Sequence, residues 1–333
     1  MPNKFFMSDQ HQVAFFNESG TYANQFGSAK WVGMVQSHES DEDMGVINAR
    51  YLGTASRNVS QFLDGPKSFN NTLTFYPQDW QFLYFAMGKV TDGGSPSPYT
   101  HTITTAHGDN IDPTNGEILP SFQVEEFQGI GVTGSNWLRT FDGCMVNSLT
   151  ITATQGEPVT CEVNYIAQDV TFASGAKSSV TATTSRPFMY QDLKVHLYAS
   201  GTTVDEVKSV ALTVNNNLGV NHYVDNNRLV GVPLPGAADY QIEVTLNATA
   251  THTKSLYDQY FVGGSTFNAL FDFTASTGSR ILYITCSGCK VLDMEAPSEI
   301  GDGPSEQTIT IAPEVVTASA TDDIQYYRSF SGA

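Results

Sequence analysis

The stretch LTFYPQDWQFLYFAMG, residues 73–88, decides the fold because it joins a strand-like segment directly to a short helix. Residues 69–75 alternate apolar and polar side chains, the pattern of a strand with one buried face. Pro77 suits the first turn of a helix, Asp79 favours the positive end of its dipole, and Gly88 suits a C-terminal cap. The apolar positions between them recur at helical spacing and are Trp80, Leu83, Tyr84 and Met87. The sequence predicts one helix of about three turns that packs on a sheet.

Composition places this segment in a mainly β chain. Val, Ile, Thr, Tyr and Phe are plentiful, turn residues separate the apolar runs, and only 15% of residues are charged. A length of 333 residues allows one large domain or two ordinary ones. The net charge of −18, with only 16 Lys and Arg, argues against an outer surface that binds nucleic acid, because phosphate binding needs clustered cations.

Neither a membrane segment nor a signal peptide is expected. The chain has no run of ~18 apolar residues, and its start, MPNKFFMSDQ, lacks the apolar core of a signal peptide. The sequence therefore predicts a soluble protein that is not secreted by the usual route and has no membrane partner. Four cysteines are too few for a disulfide framework and are predicted to be buried free thiols: Cys144, Cys161, Cys286 and Cys289.

The second half repeats the order of elements found in the first. Three strand-like segments, DLKVHLYA, VKSVALTVNN and YQIEVTLNA, precede a second predicted helix, THTKSLYDQYFVGG, at residues 251–264. The spacing from Phe122 to Cys144 equals the spacing from Phe267 to Cys289. Thr140 and Thr285 also match, each at the same distance before its cysteine. These matches predict an internal duplication.

The repeat also sets the expected domain limits. The separation of Gly88 from Cys144 exceeds that of Gly263 from Cys289 by the length of a turn-rich excursion at 91–120. The first domain is predicted to span residues 1–180 and to contain that insertion. A polar linker is predicted at 173–187 and a second domain at 187–333. Residues 12–26, QVAFFNESGTYANQF, are interpreted as an extended, partner-seeking N-terminal arm.

The sequence offers no arrangement of residues typical of an active site. No HExxH or zinc-spaced set is present, and Cys286 and Cys289 would point to opposite faces of a strand. Adjacent acidic residues are interpreted as solvated strand and loop faces: Asp41, Glu42 and Asp43, Glu125 with Glu126, and Asp322 with Asp323. The oxygen-rich run at 109–117 does not match a calcium loop. The sequence therefore predicts a protein that is not an enzyme and has no catalytic, cofactor-binding or metal site.

Three segments together resemble the tail tube proteins, or major tail proteins, of tailed bacteriophages and archaeal tailed viruses. VAFFNESGTY at 13–22 is similar to the opening of that family. Residues 73–88 resemble its strand-then-helix signature, with the core of the match at 77–84. FDGCMVNSLTITATQGEPVTCEVNYIAQDV at 141–170 resembles the paired strands that close its first domain. The second half is connected to the family only through the internal repeat.

The resemblance implies two tandem tail-tube-type β-sandwich or barrel domains, each with one flanking α-helix. Such domains join their sheets side by side into rings, and stacked rings form the hollow tail tube through which the viral genome passes. A chain with two copies would form a trimer with pseudo-sixfold symmetry. Acidity fits this function, because a channel wall of like charge does not hold DNA.

The resemblance also implies partners and a location. The partners would be copies of the chain, the tape measure and tail terminator proteins, and viral DNA that passes without specific binding. The protein would be assembled in the host cytoplasm and reside in the virion tail. The N-terminal arm and segments 41–66 and 91–120 would hold adjacent subunits and rings together. Segment 91–120 and residues 320–333 depart from the repeat, and either could instead decorate the outside of the tube.

Two other classes of function remain open from the residues alone. The first is a virion decoration or adhesin-type binding module built of tandem β-sandwiches, which would display an exposed aromatic platform. The second is a glycan-cleaving enzyme on a β scaffold, which needs two carboxylates ~5 to 10 Å apart. Glu125 is the candidate carboxylate for that reaction.

Overall fold

The computed structural model describes residues 10–18, 22–51, 58–93, 98–106, 119–129, 136–197, 203–224, 227–249, 252–275, 280–294, 305–324 and 326. The first half contains β1 His11–Glu18, β2 Gln25–Trp31, β3 Met34–Asp43, β4 Val46–Ala49, β5 Gln61–Asp64, β6 Ser68–Tyr76, α1 Gln81–Met87, β7 Gly88–Gly93, β8 Tyr99–Thr105, β9 Phe122–Gln128, β10 Trp137–Thr154, β11 Thr160–Ala167 and β12 Asp169–Ala173. The second half contains a 3-10 turn Tyr190–Asp192, β13 Leu193–Leu197, β14 Val207–Asn215, β15 Asp239–Asn247, α2 His252–Ser255 with its π-helical continuation Leu256–Val262, β16 Phe267–Thr274, β17 Ile281–Met294, β18 Glu306–Ala312 and β19 Val315–Asp322. The chain is mainly β, as predicted.

Three large antiparallel sheets form the body of the protein. Sheet 1 has the order β2-β1-β9-β10-β12, and sheet 2 has the order β13-β16-β17-β19-β8-β7. The third, here called the shared sheet, has the order β3-β6-β11-β10-β14-β15-β18-β17. The long strands β10 and β17 each run from one sheet into another. The arrangement agrees with the β-sandwich architecture expected from the sequence.

The pairings of the first half recur in the second. β1–β9, β9–β10, β10–β12, β10–β11, β11–β6 and β6–β3 correspond in order to β13–β16, β16–β17, β17–β19, β17–β18, β18–β15 and β15–β14. A helix follows β6 in one half and β15 in the other. The two halves therefore have one strand topology, as the repeat predicts, while the domain limits at 180 and 187 stay predictions.

Register shifts fall at equivalent points of the two halves. In the long strands they lie between Phe141 and Cys144, Cys286 and Cys289, Val146 and Ser148, and Val291 and Asp293. Another matching pair lies between Val35 and Ser37 in β3 and between Val207 and Ser209 in β14. Such irregularities add a residue to one strand and change its direction locally. Their coincidence aligns the halves residue by residue.

The two matched cysteines, Cys144 and Cys289, mark the first of these bulges in β10 and in β17. Gly143 and Gly288 sit immediately before Cys144 and Cys289, with φ of 62° and 63°, in the left-handed region that favours glycine. The Cys144 thiol donates to the carbonyl of Phe141 at 3.3 Å, and the Cys289 thiol lies 3.5 Å from the carbonyl of Cys286. The equal spacing from phenylalanine to cysteine in the two halves therefore records a shared backbone geometry.

The first part of the predicted N-terminal arm, which forms β1, is built into sheet 1. β1 pairs with β2 on one side and with β9 on the other. Residues 13–18 are buried, and the Phe15 ring packs edge-on against Phe82 and Phe85 of α1. Both edges of β1 are occupied within the chain, so the expectation of a free arm is wrong for residues 11–18.

The excursion at 91–120 contains strands that were not predicted. β7 and β8 form an antiparallel pair between Gly88 and Thr105, and β8 pairs in turn with β19 of the second half. The first half thus contributes two strands to sheet 2. The expectation of a turn-rich excursion with few strand formers is wrong here, because β8 consists largely of threonines together with Tyr99 and Ile103, residue types that favour strands. Residues 107–118 lie outside the described part.

The first helix is shorter than predicted and more deeply buried. α1 has seven residues, and all of them are buried. The carbonyl of Pro77 accepts the N–H of Phe188 at 3.3 Å, and the Asp79 carboxylate accepts the N–H of Gln81 at 3.1 Å. These bonds replace the first helical turn, so the helix begins at Gln81. Gly88 caps its end with φ of 94°, as the sequence predicts.

The polar stretch after β12 has no helix or strand at 174–187, and it lies along the first half. The side chain of Ser178 and its N–H both donate to Glu125, at 2.6 and 2.8 Å. Further on, the Gln78 amide donates to the carbonyl of Thr183 at 3.2 Å. In the described part of the chain, every helix is too short or too polar to cross a lipid bilayer.

Candidate assembly surfaces

The two halves are joined strand to strand in the shared sheet. β10 and β14 pair over seven residues, from Ser148 opposite Asn215 to Thr154 opposite Ser209. The hydroxyls of Thr150 and Thr213 lie 3.2 Å apart across this joint. One continuous sheet of eight strands therefore crosses from the first half to the second.

Asn216 is the residue that holds this joint at its end. Its buried side-chain amide donates to the carbonyls of Ala86 in α1 and Val146 in β10, at 2.9 and 3.0 Å. Its backbone N–H donates to the carbonyl of Asn147 at 2.8 Å. Sequence reasoning missed this role, although a run of three asparagines at the end of a predicted strand was visible. Asparagine often serves in such strand ends because its amide bonds to backbone groups.

One face of the shared sheet packs on the hydrophobic core and the other is polar. Residues that alternate with the core positions form rows across the strands, because directly paired residues share a face. One row is Glu39, Thr72, Asn164, Ser148, Asn215 and Asp239. Another is Ser37, Thr74, Glu162, Thr150, Thr213 and Gln241. We call this surface the polar face.

The polar face is strongly acidic. Its described carboxylates are Glu39, Asp41, Asp43, Glu162, Asp239, Glu243, Asp293 and Glu306. Its described cations are Lys208, which pairs with Glu306, and Lys290. A surface with this excess of carboxylates repels polyanions. The alternation of threonine with apolar residues predicted such half-buried strands, but not that their polar sides would form one surface.

Two edges of the shared sheet stay open within the described residues. β3 pairs with β6 alone, and no described strand pairs with its other edge. At the opposite end, β17 pairs over residues 290–294 with β18 alone. Open strand edges offer unpaired backbone N–H and C=O groups to a further strand.

The hairpin formed by β4 and β5 carries apolar side chains into solvent. The two strands pair with each other from Val46 to Asp64 and form a separate two-stranded sheet. Phe62 is 68% exposed and Ile47 is 50% exposed. Monomeric proteins seldom expose large apolar side chains in clusters, so the hairpin is a candidate contact surface.

The carboxylates of β9 are buried, so the prediction of a solvated face for Glu125 and Glu126 is wrong. Both oxygens of Glu125 accept bonds from Ser178, as described above. Glu126 accepts from His38 at 3.0 Å and from Arg139 at 2.5 Å. Successive side chains of β9 point to opposite faces of sheet 1, and residues on both faces are buried. Neither carboxylate therefore lies on a solvated face.

A cluster around His38 holds the open strand β3 to strands β9, β10 and β11. The other ring nitrogen of His38 lies 2.6 Å from the hydroxyl of Tyr165, and Arg139 also binds Glu42 of β3 at 2.6 Å. Burial alone would raise the pKa of Glu126, but the bond from His38 and the charge of Arg139 outweigh it and lower the pKa to about 2. The cluster holds charges in place and presents no nucleophile.

A second buried cluster ties β8 to the end of the chain. His101 lies 2.7 Å from Asp92 and 3.2 Å from Asp322, and its ring stacks on Tyr326 with centroids 3.7 Å apart. Burial alone would lower the pKa of His101, but the two carboxylates outweigh it and raise the pKa. The expected solvation of Asp322 is therefore wrong, whereas Asp323 is exposed.

The cysteines are free and buried, as predicted. Cys286 and Cys289 both face the core, which corrects the expectation of opposite faces, because the bulge between them adds a residue. Burial raises the pKa of both thiols, that of Cys289 to about 11, so neither is a reactive thiolate near neutral pH. Among described residues, no group of three His, Cys, Asp or Glu could hold a metal ion. The run at 109–117 lies outside them.

The family model described as phage tail tube protein matches residues 47–330, most of the chain. The match includes the second half, which the sequence connected to the family only by its repeat. No curated protein matches the chain.

Proposed function

The chain belongs to the phage tail tube protein family, and from this membership we propose that its copies assemble into stacked rings that form a hollow tube for passage of the viral genome. The family makes the chain a structural component of the virion tail. Ring formation, the channel and its passenger are the parts that we propose.

The polar face of the shared sheet is the observation that carries the proposal. Its side chains are short hydroxyls, amides and carboxylates, with two lysines among the described strands. A DNA-binding surface would instead need clustered Lys and Arg. A wall with this chemistry is suited to let a polyanion slide past, so we place the polar face on the channel.

The two halves suggest the symmetry of the ring. Each contributes four strands to the shared sheet, in the same order and with the same bulges. Three chains would present six nearly equal units, so we propose trimeric rings with pseudo-sixfold symmetry. Joined edge to edge, their shared sheets would surround the channel without an open strand edge.

Stacking of rings would use surfaces outside the shared sheet. The hairpin of β4 and β5 is the best candidate because its apolar side chains have no cover in the described part of the chain. The tape measure protein within the tube, the tail terminator at its end and assembly in the host cytoplasm complete the proposal. A non-enzymatic role agrees with the family and with Glu125, whose carboxylate is engaged in holding the stretch after β12.

Electron microscopy of the purified protein over a range of concentrations tests the proposal directly. We expect rings and hollow tubes, with end views that show six similar units and strict threefold symmetry. Particles that remain dispersed at every concentration, with no tubes in a lysate of infected cells, would contradict it. Binding of such dispersed particles to host cells would favour the decoration or adhesin-type module instead.

A further inference from the structure

We propose that β17 of one copy pairs with β3 of the next copy in the register of the internal β10–β14 joint, with Asp293 opposite Asp43. This inference rests on the proposed ring and identifies the strands and residues of its subunit contact. The partner is a second copy of this chain. The open edges of β3 and β17 stand at opposite ends of the shared sheet, so one contact can repeat around a closed ring.

The internal duplication supplies the register. β10 and β17 have their bulges at equivalent points, and the residue that follows the second bulge is Ser148 in one and Asp293 in the other. Ser209 follows the bulge of β14 and Ser37 follows the bulge of β3. Six residues further on are Asn215 in β14 and Asp43 in β3. Because Ser148 pairs with Asn215 inside the chain, the same geometry places Asp293 opposite Asp43 between chains.

The end of β3 already has the shape that receives β10 at the end of β14. Asn215 accepts the N–H of Asn217 on its side-chain oxygen at 3.1 Å, and Asn217 has φ of 48°. Asp43 accepts the N–H of Gly45 at 2.8 Å, and Gly45 has φ of 62°. The two strands thus end in the same turn. In β14 this turn adjoins a paired strand, whereas in β3 the corresponding edge is open.

Apolar side chains lie where the internal joint has its asparagines. Met44 follows β3 at the position of Asn216, and Leu292 precedes Asp293 at the position of Asn147. Leu292 is 58% exposed and Met44 is 41% exposed. Contact between copies in the proposed register would remove both from water, and such burial drives association.

The second helical segment adds a further apolar group at this place. Ala86 of α1, whose carbonyl binds Asn216, stands two residues before the left-handed Gly88. Val262 stands two residues before the left-handed Gly264 and is 65% exposed. The internal joint is therefore closed by hydrogen bonds, and the joint between copies would be closed by hydrophobic contact.

The register also brings like charges together. Asp293 and Asp43 would face each other where Ser148 and Asn215 meet inside the chain. Like charges directly opposite in a ladder weaken the pair. We expect the contact between copies to form more weakly than the internal joint and to strengthen when one of these carboxylates is replaced by asparagine.

A disulfide between copies tests the register. The N–H of Asn216 donates to the carbonyl of Asn147 beyond the Ser148–Asn215 pair, so this pair is of the non-hydrogen-bonded kind. Its Cα atoms are ~4.5 Å apart, within the range of a disulfide. We expect the double variant Asp43→Cys with Asp293→Cys to form covalent oligomers under oxidation, up to a closed trimer. The native thiols are buried and should not compete.

Matched variants make the result specific. Asp43→Cys or Asp293→Cys alone should give no cross-link, and Asp41→Cys with Asp293→Cys, two residues out of register, should give much less. Ser148→Cys with Asn215→Cys reproduces the same pair inside one chain and should cross-link without forming oligomers. The products are separated by non-reducing gel electrophoresis, and the same samples are viewed by electron microscopy.

The outcomes separate this inference from the proposed function. Covalent oligomers from the 43–293 pair support the register, with or without tubes. Tubes whose subunits cross-link only through the 41–293 pair, or not at all, overturn the register and leave the tube function intact. A chain that gives neither tubes nor cross-links at any concentration overturns both.

A second pair of variants tests the hydrophobic closure. Leu292→Asp should raise the concentration needed for ring formation at least tenfold, whereas Leu292→Met should leave it within a factor of two or three. Circular dichroism would show whether either variant has lost its fold. Equal assembly of the two variants, both folded, would overturn the role of Leu292.

Discussion

The helices of the two halves occupy equivalent places but differ in how completely the chain covers them. All seven residues of α1 are buried, under β7, β8 and the end of the second half. In the segment from His252 to Val262 only Leu256 and Tyr260 are buried. The chain covers the helix of the first half, whereas the helix of the second half is largely exposed among the described residues. The buried residues of α1 therefore stabilise the fold, whereas the exposed residues of the second helical segment are available for contacts in the proposed ring.

Phe85→Ala should have the largest effect on the folded chain. Its buried ring packs against Phe15, Phe82 and Phe122. Removal of such a ring from a core lowers the free energy of unfolding by about 3–5 kcal/mol. The corresponding Phe261→Ala, at an exposed position, should change it by less than ~0.5 kcal/mol. Urea unfolding of both variants gives the comparison, and equal effects would contradict the difference in cover.

Asp79→Asn should make stability less sensitive to pH. Burial raises the pKa of Asp79 to about 7 in the folded protein, so its favourable contribution is full below pH ~4 and is lost as the pH rises through 7. Asparagine keeps the bond from Gln81 without the buried charge. At pH 8 the variant should be more stable by roughly 2–4 kcal/mol, given 1.36 kcal/mol per pKa unit. Asp258→Asn, in the exposed helix of the second half, is the control.

Gly143→Ala should be more damaging than Gly288→Ala, although the two glycines have nearly the same φ. An added Cβ at Gly143 would lie 2.7 Å from the ring of Tyr22, whose hydroxyl donates to the Gly143 carbonyl at 2.6 Å. At Gly288 it would meet the end of the flexible Glu314 side chain. We expect the free energy of unfolding to fall by about 2–3 kcal/mol in Gly143→Ala and by about 1 kcal/mol in Gly288→Ala, because a left-handed alanine itself costs about 1 kcal/mol. Thermal unfolding would reveal the order.

Ser178→Ala should have the smallest of these effects. Its hydroxyl donates to Glu125, and the position equivalent to Glu125 in the second half is Leu270, which needs no such partner. Loss of one bond to a buried carboxylate should lower stability by about 1 kcal/mol. Ser179→Ala, next to it and exposed, should have no measurable effect. The comparison would show whether the stretch after β12 is held to the first half by this bond.

Local patterns in the sequence predicted many of the strands and caps, but which strands pair and which polar residues are buried depends on contacts distant in the sequence. Alternation in β6, the glycine cap at Gly88 and the Cys144 and Cys289 match all correspond to features of the structure. The strand formers of β8, which are Tyr99, Ile103 and four threonines, were visible in the sequence, but its pairing with β19 near the other end of the chain could not be read locally. Burial of Glu126 and Asp322 was missed because their partners, His38 and His101, lie on other strands.

The candidate surfaces were likewise predictable only in their local features. Each strand of the shared sheet has a recognisable polar side, but the sequence does not say that these sides line up across eight strands. The role of Asn216 depends on three carbonyls from α1 and β10, which only the fold brings to one point. The equivalence of Met44 with Asn216 became visible once the bulges aligned the two halves.

The pairing of β8 with β19 has a mechanical consequence. It gives the two halves of one chain a second attachment, in a different sheet from the β10–β14 joint, so neither can rotate about the other as a hinge would allow. In the proposed ring, each joint between chains would have a single strand pair, and joints inside chains would have two. Such a ring has three stiff joints and three compliant seams. Under bending or pressure it should deform into a rounded triangle and rupture along its three seams, never through a chain.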